Sequence, residues 1–214
     1  MAETVDAPPS DAQRRLLVAA RDAFGAKGFH GTTTRDIAAA AGMSPAAVYV
    51  HHRTKESLLF AISLEGHRAT LQGLQDAQRG VAGPSARLAA LVRRLVLGHV
   101  TDHTMARVVN YELPSLLPEH RATIDALRRD IQQLIRAALV AGVESGDFDC
   151  ADVGMTTNAI MGMSIDVARW YDERDAWSPE RIADHNARMA LRMAGAGLGS
   201  AAAEADRPPH SSDG

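Results

Sequence analysis

An all-α fold is predicted by three observations on this 214-residue chain. Apolar residues return every three to four positions through most of its length, the spacing that keeps one stripe of a helix dry. Aromatic residues make up only 4% of the chain, and no run alternates apolar and polar in the manner of a half-buried strand. Ser, Thr, Asp, Pro and Gly fall at the ends of the periodic segments, where helices need caps. About nine helices are expected, and the length allows one large helical domain or a small one followed by a larger one.

The first helix spans Gln13 to Gly25, with Leu16, Leu17, Ala20 and Phe24 on one stripe, and ends through Lys27 and Gly28. Thr33 stands three residues before Asp36, an approximate capping box that starts a second helix near Thr34. Ile37, Ala38 and Ala41 recur at helical spacing, and Gly42 follows where a left-handed cap costs least. Ser44 supplies an N-cap oxygen and Pro45 the first position of a third helix, which runs to about His51. Its small residues Ala46 and Ala47 can approach base edges in a major groove, Val48 turns inward, and Tyr49 and His51 project polar tips outward. Two short helices joined by a tight turn are the layout of a helix-turn-helix DNA reader.

Thr54 caps a fourth helix that opens with Lys55 and Glu56, the lysine lying beside exposed helix N–H groups that suit a phosphate. This helix runs through Leu58, Leu59 and Ile62 toward Gln78 and connects the first three helices to the rest of the chain. After the loop Gly80 to Pro84, the segment Ser85 to His99 places Leu88, Leu91, Val92, Leu95 and Val96 on one stripe. A helix from Thr104 to Leu113 stops at Pro114, and Pro118 introduces the longest periodic segment, Glu119 to Glu144, which Gly146 ends. From Asp152 to Tyr171, Gly154, Ala159, Gly162 and several methionines make an apolar helix able to pack closely on another. The last helix, from Pro179 or Glu180 to Met193, carries Ile182, Met189 and Leu191. Residues 1–9 and 196–214 are expected to be flexible tails, being rich in Ala, Gly, Pro and Ser.

The net charge of −3 looks unsuited to a DNA binder until it is partitioned. Residues 10–55 hold seven Lys/Arg against three Asp, or +4, which leaves −7 for the remainder. A basic module that meets phosphate and an acidic one that does not would divide charge in this way. The single cysteine, Cys150, excludes an intrachain disulfide and offers too few thiolates for a zinc site. Apolar runs break well before the roughly 18 residues of a membrane span, and the N-terminus lacks a basic-then-apolar signal, so a cytoplasmic protein without membrane association is expected. His99 and His103 stand four apart with Asp102 between them and Glu112 and His120 nearby, which invites a metal reading. The segment breaks near Thr101, however, so solvated or loop-capping histidines are expected, with no metal and no cofactor.

The segment RRLLVAARDAFGAKGFHGTTTRDIAAAAGMSPAAVYVHHRTKESLL, residues 14–59, resembles the N-terminal domain of the tetracycline-repressor (TetR) family of bacterial transcriptional regulators. The resemblance implies a DNA-binding domain at 10–55 and a helical effector-binding and dimerisation domain at 56–195. On the family's motif positions, Arg35, Tyr49, His51 and Lys55 would meet phosphate, Thr33 and Ser44 would present hydroxyls or serve only as caps, and Ala46, Ala47 and Val50 would discriminate bases, with Arg35 as a further candidate for that role. One departure stands out: His52 occupies a place where the family usually has an aromatic. It reads either as a neutral histidine bonded to backbone or as an extra donor near phosphate. The family pairs its last two long helices with their twofold mates, which implies a homodimer.

The function expected is a ligand-responsive regulator, a repressor by the family's habit, that binds a near-palindromic double-stranded operator and is released by a small apolar or amphipathic effector. Candidate effector-pocket residues are Leu95, His99, Tyr111, Asn158, Met161, Asp166 and Trp170. The polar residues of the Asp152 to Tyr171 helix can equally make dimer hydrogen bonds or lie on an exposed face, and Trp170 and Tyr171 either wall a pocket or end the dimer helix. The stretch ARWYDERDAWSPERI faintly resembles a subgroup that senses acyl-CoA thioesters, which points to an acyl-CoA or another lipid-like metabolite. A DNA-binding regulator without an effector is the alternative. An all-helical enzyme is the remaining one, but no Ser/His/Asp set, Gly-rich phosphate loop or paired metal motif supports a catalytic site.

Overall fold

The computed structural model describes residues 10–174 and 177–197. Among them are nine α-helices and one 3-10 turn: α1 Asp11–Lys27, α2 Thr34–Ala40, α3 Pro45–His51, α4 Lys55–Ala77, α5 Pro84–Thr101, α6 His103–Tyr111, the turn Leu113–Ser115, α7 Pro118–Glu144, α8 Val153–Trp170 and α9 Pro179–Met193. No strand occurs among the described residues. The tails expected at 1–9 and 196–214 lie outside the described residues except for Ala196 and Gly197. No helix among the described residues is long and apolar enough to cross a membrane.

Helix α1 begins two residues earlier than its apolar stripe suggested, because Ser10 and Gln13 form a reciprocal capping box: Gln13 N donates to Ser10 Oγ at 3.3 Å and Ser10 N to Gln13 Oε1 at 2.8 Å. The cap satisfies orphan N–H groups that apolar periodicity cannot register.

The helices divide into two compact units. The first holds the described chain up to Ala69 together with Asp102–Leu127; the second holds Thr70–Thr101 and the described chain from Arg128 onward. Packing therefore does not change at residue 55. In the first unit, Leu16, Ala20 and Phe24 of α1, Ile37 and Ala38 of α2 and Val48 of α3 bury against Leu58, Leu59 and Ile62 of α4, with Val108, Val109, Leu113, Leu116 and Ile124 closing the same core. Three helices of this size are marginal alone. Gly25 marks where α1 meets α6, since a Cβ there would stand 2.5 Å from Thr104 Cγ2.

Polar contacts tie this unit across long sequence distances. Glu112 Oε1 accepts from Phe29 N at 3.1 Å, and Thr32 Oγ1 donates to Ala23 O at 3.0 Å and Gly28 O at 2.8 Å. Glu56 Oε1 accepts from Leu117 N at 3.0 Å and lies 2.8 Å from His120 Nδ1. The His120 ring in turn stacks on Phe60, centroids 3.8 Å apart and planes 4° from parallel.

In the second unit, α5 is the central helix and packs on α8 and α9. Leu88, Leu91, Val92, Leu95 and Val96 of α5 meet Ile131, Ile135, Ala138 and Leu139 of α7, Ile160 and Val167 of α8, and Ile182, Ala183, Ala187 and Ala190 of α9. Arg93 Nε donates to Asp184 Oδ1 at 2.6 Å at the exposed edge of the α5–α9 seam. The outward side of α9 displays Arg181, His185, Arg188 and Arg192.

Candidate nucleic-acid interface

Both reader helices are set by their caps. Thr33 N and Thr33 Oγ1 donate to Asp36 Oδ2 at 2.9 and 2.8 Å, while Asp36 N donates back to Thr33 Oγ1 at 3.1 Å. The two hydrogen bonds from Thr33 favour the charged carboxylate and hold Asp36 below its ordinary pKa of 3.8, with Lys27 adding a smaller pull in the same direction. Ile37 and Ala38 anchor α2 in the core. At its end Gly42 adopts φ 66°, and Met43 N donates to Ala38 O at 2.9 Å, so the chain reverses tightly. Ser44 Oγ then accepts from Ala47 N at 3.2 Å and Pro45 opens α3.

Helix α3 shows one face to the core and the other to solvent. Val48 is fully buried, whereas Ala46, Tyr49 and Val50 are exposed, Val50 by 80%. Ala47 and His51 are half-buried at the edges of that face. The Tyr49 hydroxyl lies 3.3 Å from Thr34 Oγ1 and joins the outer side of α3 to the first residue of α2. Thr34 was not among the expected site residues; its place immediately after a capping threonine was the available signal. Arg35 of α2 and Arg53 of the α3–α4 turn are exposed, and Arg53 was likewise passed over.

Lys55 is placed differently from the expectation. Its Nζ donates to Phe29 O at 2.7 Å and Thr32 O at 2.8 Å and sits 4.2 Å from the centroid of the Phe29 ring. The ammonium thus closes the α1–α2 loop instead of standing out toward a phosphate. An isolated lysine at a helix start suggests an exposed charge, but here two inward carbonyls lie within reach. The cap expected at Thr54 is present, with Ser57 N donating to Thr54 Oγ1 at 3.0 Å.

His52 caps the C-terminal end of α3 in extended conformation, φ −138° and ψ 118°. Partial burial, reinforced by the neighbouring His51, pushes its pKa below the ordinary 6.5, against a smaller opposing effect of its hydrogen bond to the Ser57 backbone.

Of the seven residues expected to line an effector pocket, six fall in the second unit, divided between its core and its exposed faces. Leu95 and His99 are buried in the core of the second unit, where His99 Nδ1 lies 2.8 Å from Leu95 O, and Met161 packs partly against the same core. Asn158 is exposed and accepts from Gln132 Nε2 at 2.7 Å; Asp166 is exposed with Arg169 3.6 Å away; Trp170 is 45% exposed. Tyr111 is exposed at the end of α6 in the other unit. The physical reason is helical phase: α8 turns Thr157, Ile160, Ser164, Val167 and Ala168 inward, which leaves 158, 166 and 170 on the far side. No group of three or more metal-ligating side chains gathers among the described residues.

The outward sides of α8 and α9 enclose a groove of about 610 Å³ lined by Met163, Trp170, Trp177, Arg181, Arg188 and Met189, among others. Exposed Gly162 lies on the same side of α8 as Trp170, and a Cβ built on it would meet nothing within 4 Å.

Comparison with known proteins gives this geometry a family. Residues 16–62 match the model for bacterial regulatory proteins of the tetR family, and residues 81–194 that for the tetracyclin repressor-like C-terminal domain. A solved bacterial regulatory protein in the tetR family from Rhodococcus RHA1 is similar at 42% identity and TM-score 0.84, over 88% of this chain and 99% of that one. AibR, solved in complex with isovaleryl coenzyme A and operator DNA, is similar at 26% identity and TM-score 0.79, over 87% of this chain and 100% of that one. The HTH-type transcriptional repressor KstR2 of Rhodococcus jostii (strain RHA1) is 29% identical over 174 residues, 77% of this chain and 85% of that protein. The relatives are regulators, not enzymes. With more than half its length matched by a family model and its N-terminal helices in the reader arrangement, the chain belongs to the TetR family of DNA-binding transcriptional regulators.

Proposed function

We propose that the chain acts in the cytoplasm as a homodimeric repressor that binds a near-palindromic operator through α2 and α3 and is released by a small amphipathic effector. The observation that carries the DNA reading is the orientation of α3: Val48 locks it to the core while Ala46, Tyr49 and Val50 face outward from the most basic part of the chain. Arg35 and Arg53 contribute charge to the phosphate backbone, Tyr49 and His51 position the helix, and Thr33 and Ser44 hold the two helix starts. Ala46 and Val50 meet base edges, with Ala47 at the margin. Lys55 keeps the loop beneath the reader in shape.

A single short helix reads few base pairs, so two copies related by a twofold axis are needed for a full site. The α8–α9 face suits the partner: its groove presents indoles and thioethers, and Gly162 allows close helix approach. The effector belongs to the acyl-thioester or lipid-like class, a reading supported by the isovaleryl coenzyme A in the AibR complex. It acts only through a differential affinity for the two conformers; a hundredfold preference yields about 2.7 kcal/mol.

Footprinting of the purified protein on DNA flanking its own gene tests the reading. A protected near-palindrome that is lost on adding one class of acyl-CoA is expected, and Arg35→Ala should reduce the salt slope of binding by about one. Gly162→Glu should give a monomer in light scattering. Persistent protection with every metabolite class would overturn the effector, and unchanged affinity in both Arg35→Ala and Tyr49→Ala would overturn the docking.

A further inference from the structure

Helix α3, PAAVYVH, holds no Arg, Lys, Asn, Gln, Asp or Glu. Those are the side chains that read guanine, adenine or cytosine by paired or charge-assisted hydrogen bonds in the major groove. Of the residues it presents outward, Ala46 and Val50 are apolar and Tyr49 carries a hydroxyl. Ala46 and Val50 stand four apart, hence one above the other on the same face, and Val50 is 80% exposed, the most exposed large hydrophobic side chain among the described residues. The opposite side is spent on the core through Val48, which is 0% exposed, so the helix cannot rotate to offer another set. The Tyr49 hydroxyl lies 3.3 Å from Thr34 Oγ1.

One base-edge group in the major groove is complementary to a methyl and an isopropyl group: the C5-methyl of thymine. We infer that this regulator selects its operator through thymine methyl groups seated against Ala46 and Val50. The inference rests on the proposal that α3 enters the groove, and it adds which chemical feature of the DNA is read. Adenine, guanine and cytosine offer polar edges to these positions that would lose water without a partner, so discrimination combines apolar burial of the methyl with rejection of unpaired polar groups.

The test first selects duplexes from random DNA with the full-length protein. In the selected site each thymine is then replaced singly by deoxyuridine, which removes only the methyl and keeps the base pair. At one or two positions per half-site, binding should weaken roughly fourfold, the worth of one buried methyl. Replacing such a T·A pair by C·G should weaken binding, and 5-methylcytosine·G should recover part of the loss. Val50→Ala, a change at a solvent-exposed position, should bind the thymine and deoxyuridine duplexes alike. Sequence-specific binding indifferent to deoxyuridine at every position would overturn the methyl readout while leaving the DNA reading in place. A sensitivity that survives in Ala46→Gly and in Val50→Ala would overturn these two residues as its source. Failure to select any duplex over random DNA would instead overturn the DNA reading, and this inference with it.

Discussion

Helices α3 and α9 open with the same two residues, serine then proline, and with the same cap. Ser44 Oγ accepts from Ala47 N at 3.2 Å, and Ser178 Oγ accepts from Arg181 N at 3.3 Å. From there they diverge. Helix α3 ends after seven residues with Val48 as its buried side chain, whereas α9 runs for fifteen and buries Ile182, Ala183, Asn186, Ala187 and Ala190. A helix of two turns does not hold itself in water, so α3 depends on its cap, its one anchor and the helices around it, while α9 is held by a continuous stripe on α5. The element proposed to meet DNA is therefore the weakly anchored one, and its other face is left exposed.

Removing the anchors should separate the two most strongly. Ile182→Ala is expected to lower unfolding free energy by about 2–5 kcal/mol in denaturant titrations, because the cavity opens inside a packed seam. Val48→Ala removes fewer atoms and should cost less global stability, yet it should cost more operator affinity, since α3 loses its only buried side chain. Wild-type affinity in Val48→Ala would break the comparison.

Lys55 supplies the next effect in size. Lys55→Met leaves Thr32 O without its donor and Phe29 O with only Thr32 N, 3.3 Å away, and should destabilise the first unit by about 1–3 kcal/mol. Its mark is a lowered melting temperature with an unchanged salt slope for DNA. A slope reduced by about one at constant melting temperature would make Lys55 a phosphate contact after all.

The shared caps give a smaller and more local difference. Ser44→Ala and Ser178→Ala each remove one N-cap, worth about 1 kcal/mol. Amide hydrogen exchange should accelerate through all of α3 in the first variant but only in the first turn of α9 in the second. Equal spreading in both helices would mean that α9 is no better held than α3.

Much of the fold was legible because its signals are local. The caps at Thr33, Ser44 and Thr54, the turn at Gly42 and the stops near Pro114 and Gly146 lie within four residues of what they act on, and the structure puts helix ends there. The inward turn of Val48 was legible for the same reason. The contacts that shape the site are of another kind. Phe29 and Glu112 meet across 83 residues and Glu56 and His120 across 64, and no pattern in either segment specifies the other. Lys55 was misplaced for that reason. On α8 the difficulty was phase: apolar residues all round the helix left its inward side undecided, and Asn158 and Asp166 lie on the exposed one.

Two histidines extend the comparison to pH. His52 ends α3 half-buried; His99 lies inside the second unit on α5. Burial is the first cause in both and lowers both pKa values below 6.5; the His51 imidazole adds to it at His52, and the Arg128 and Arg94 guanidiniums add to it at His99. The sign follows from linkage. Below pH 6.5 the unfolded chain takes up protons that the folded chain refuses, so stability is complete above that pH and falls as pH drops toward the folded values. Asp36 acts lower down: its depressed pKa gives stability that persists until pH falls below 3.8. Denaturant titrations from about pH 7.5 to 5 should therefore show a declining limb. His99→Gln should flatten it more than His52→Phe, because His99 is the more buried of the two and desolvation grows with burial. A larger effect from His52 would mean that the end of α3 is more tightly enclosed than its exposed reading face suggests, and a limb that rises on acidification would contradict the sign for both.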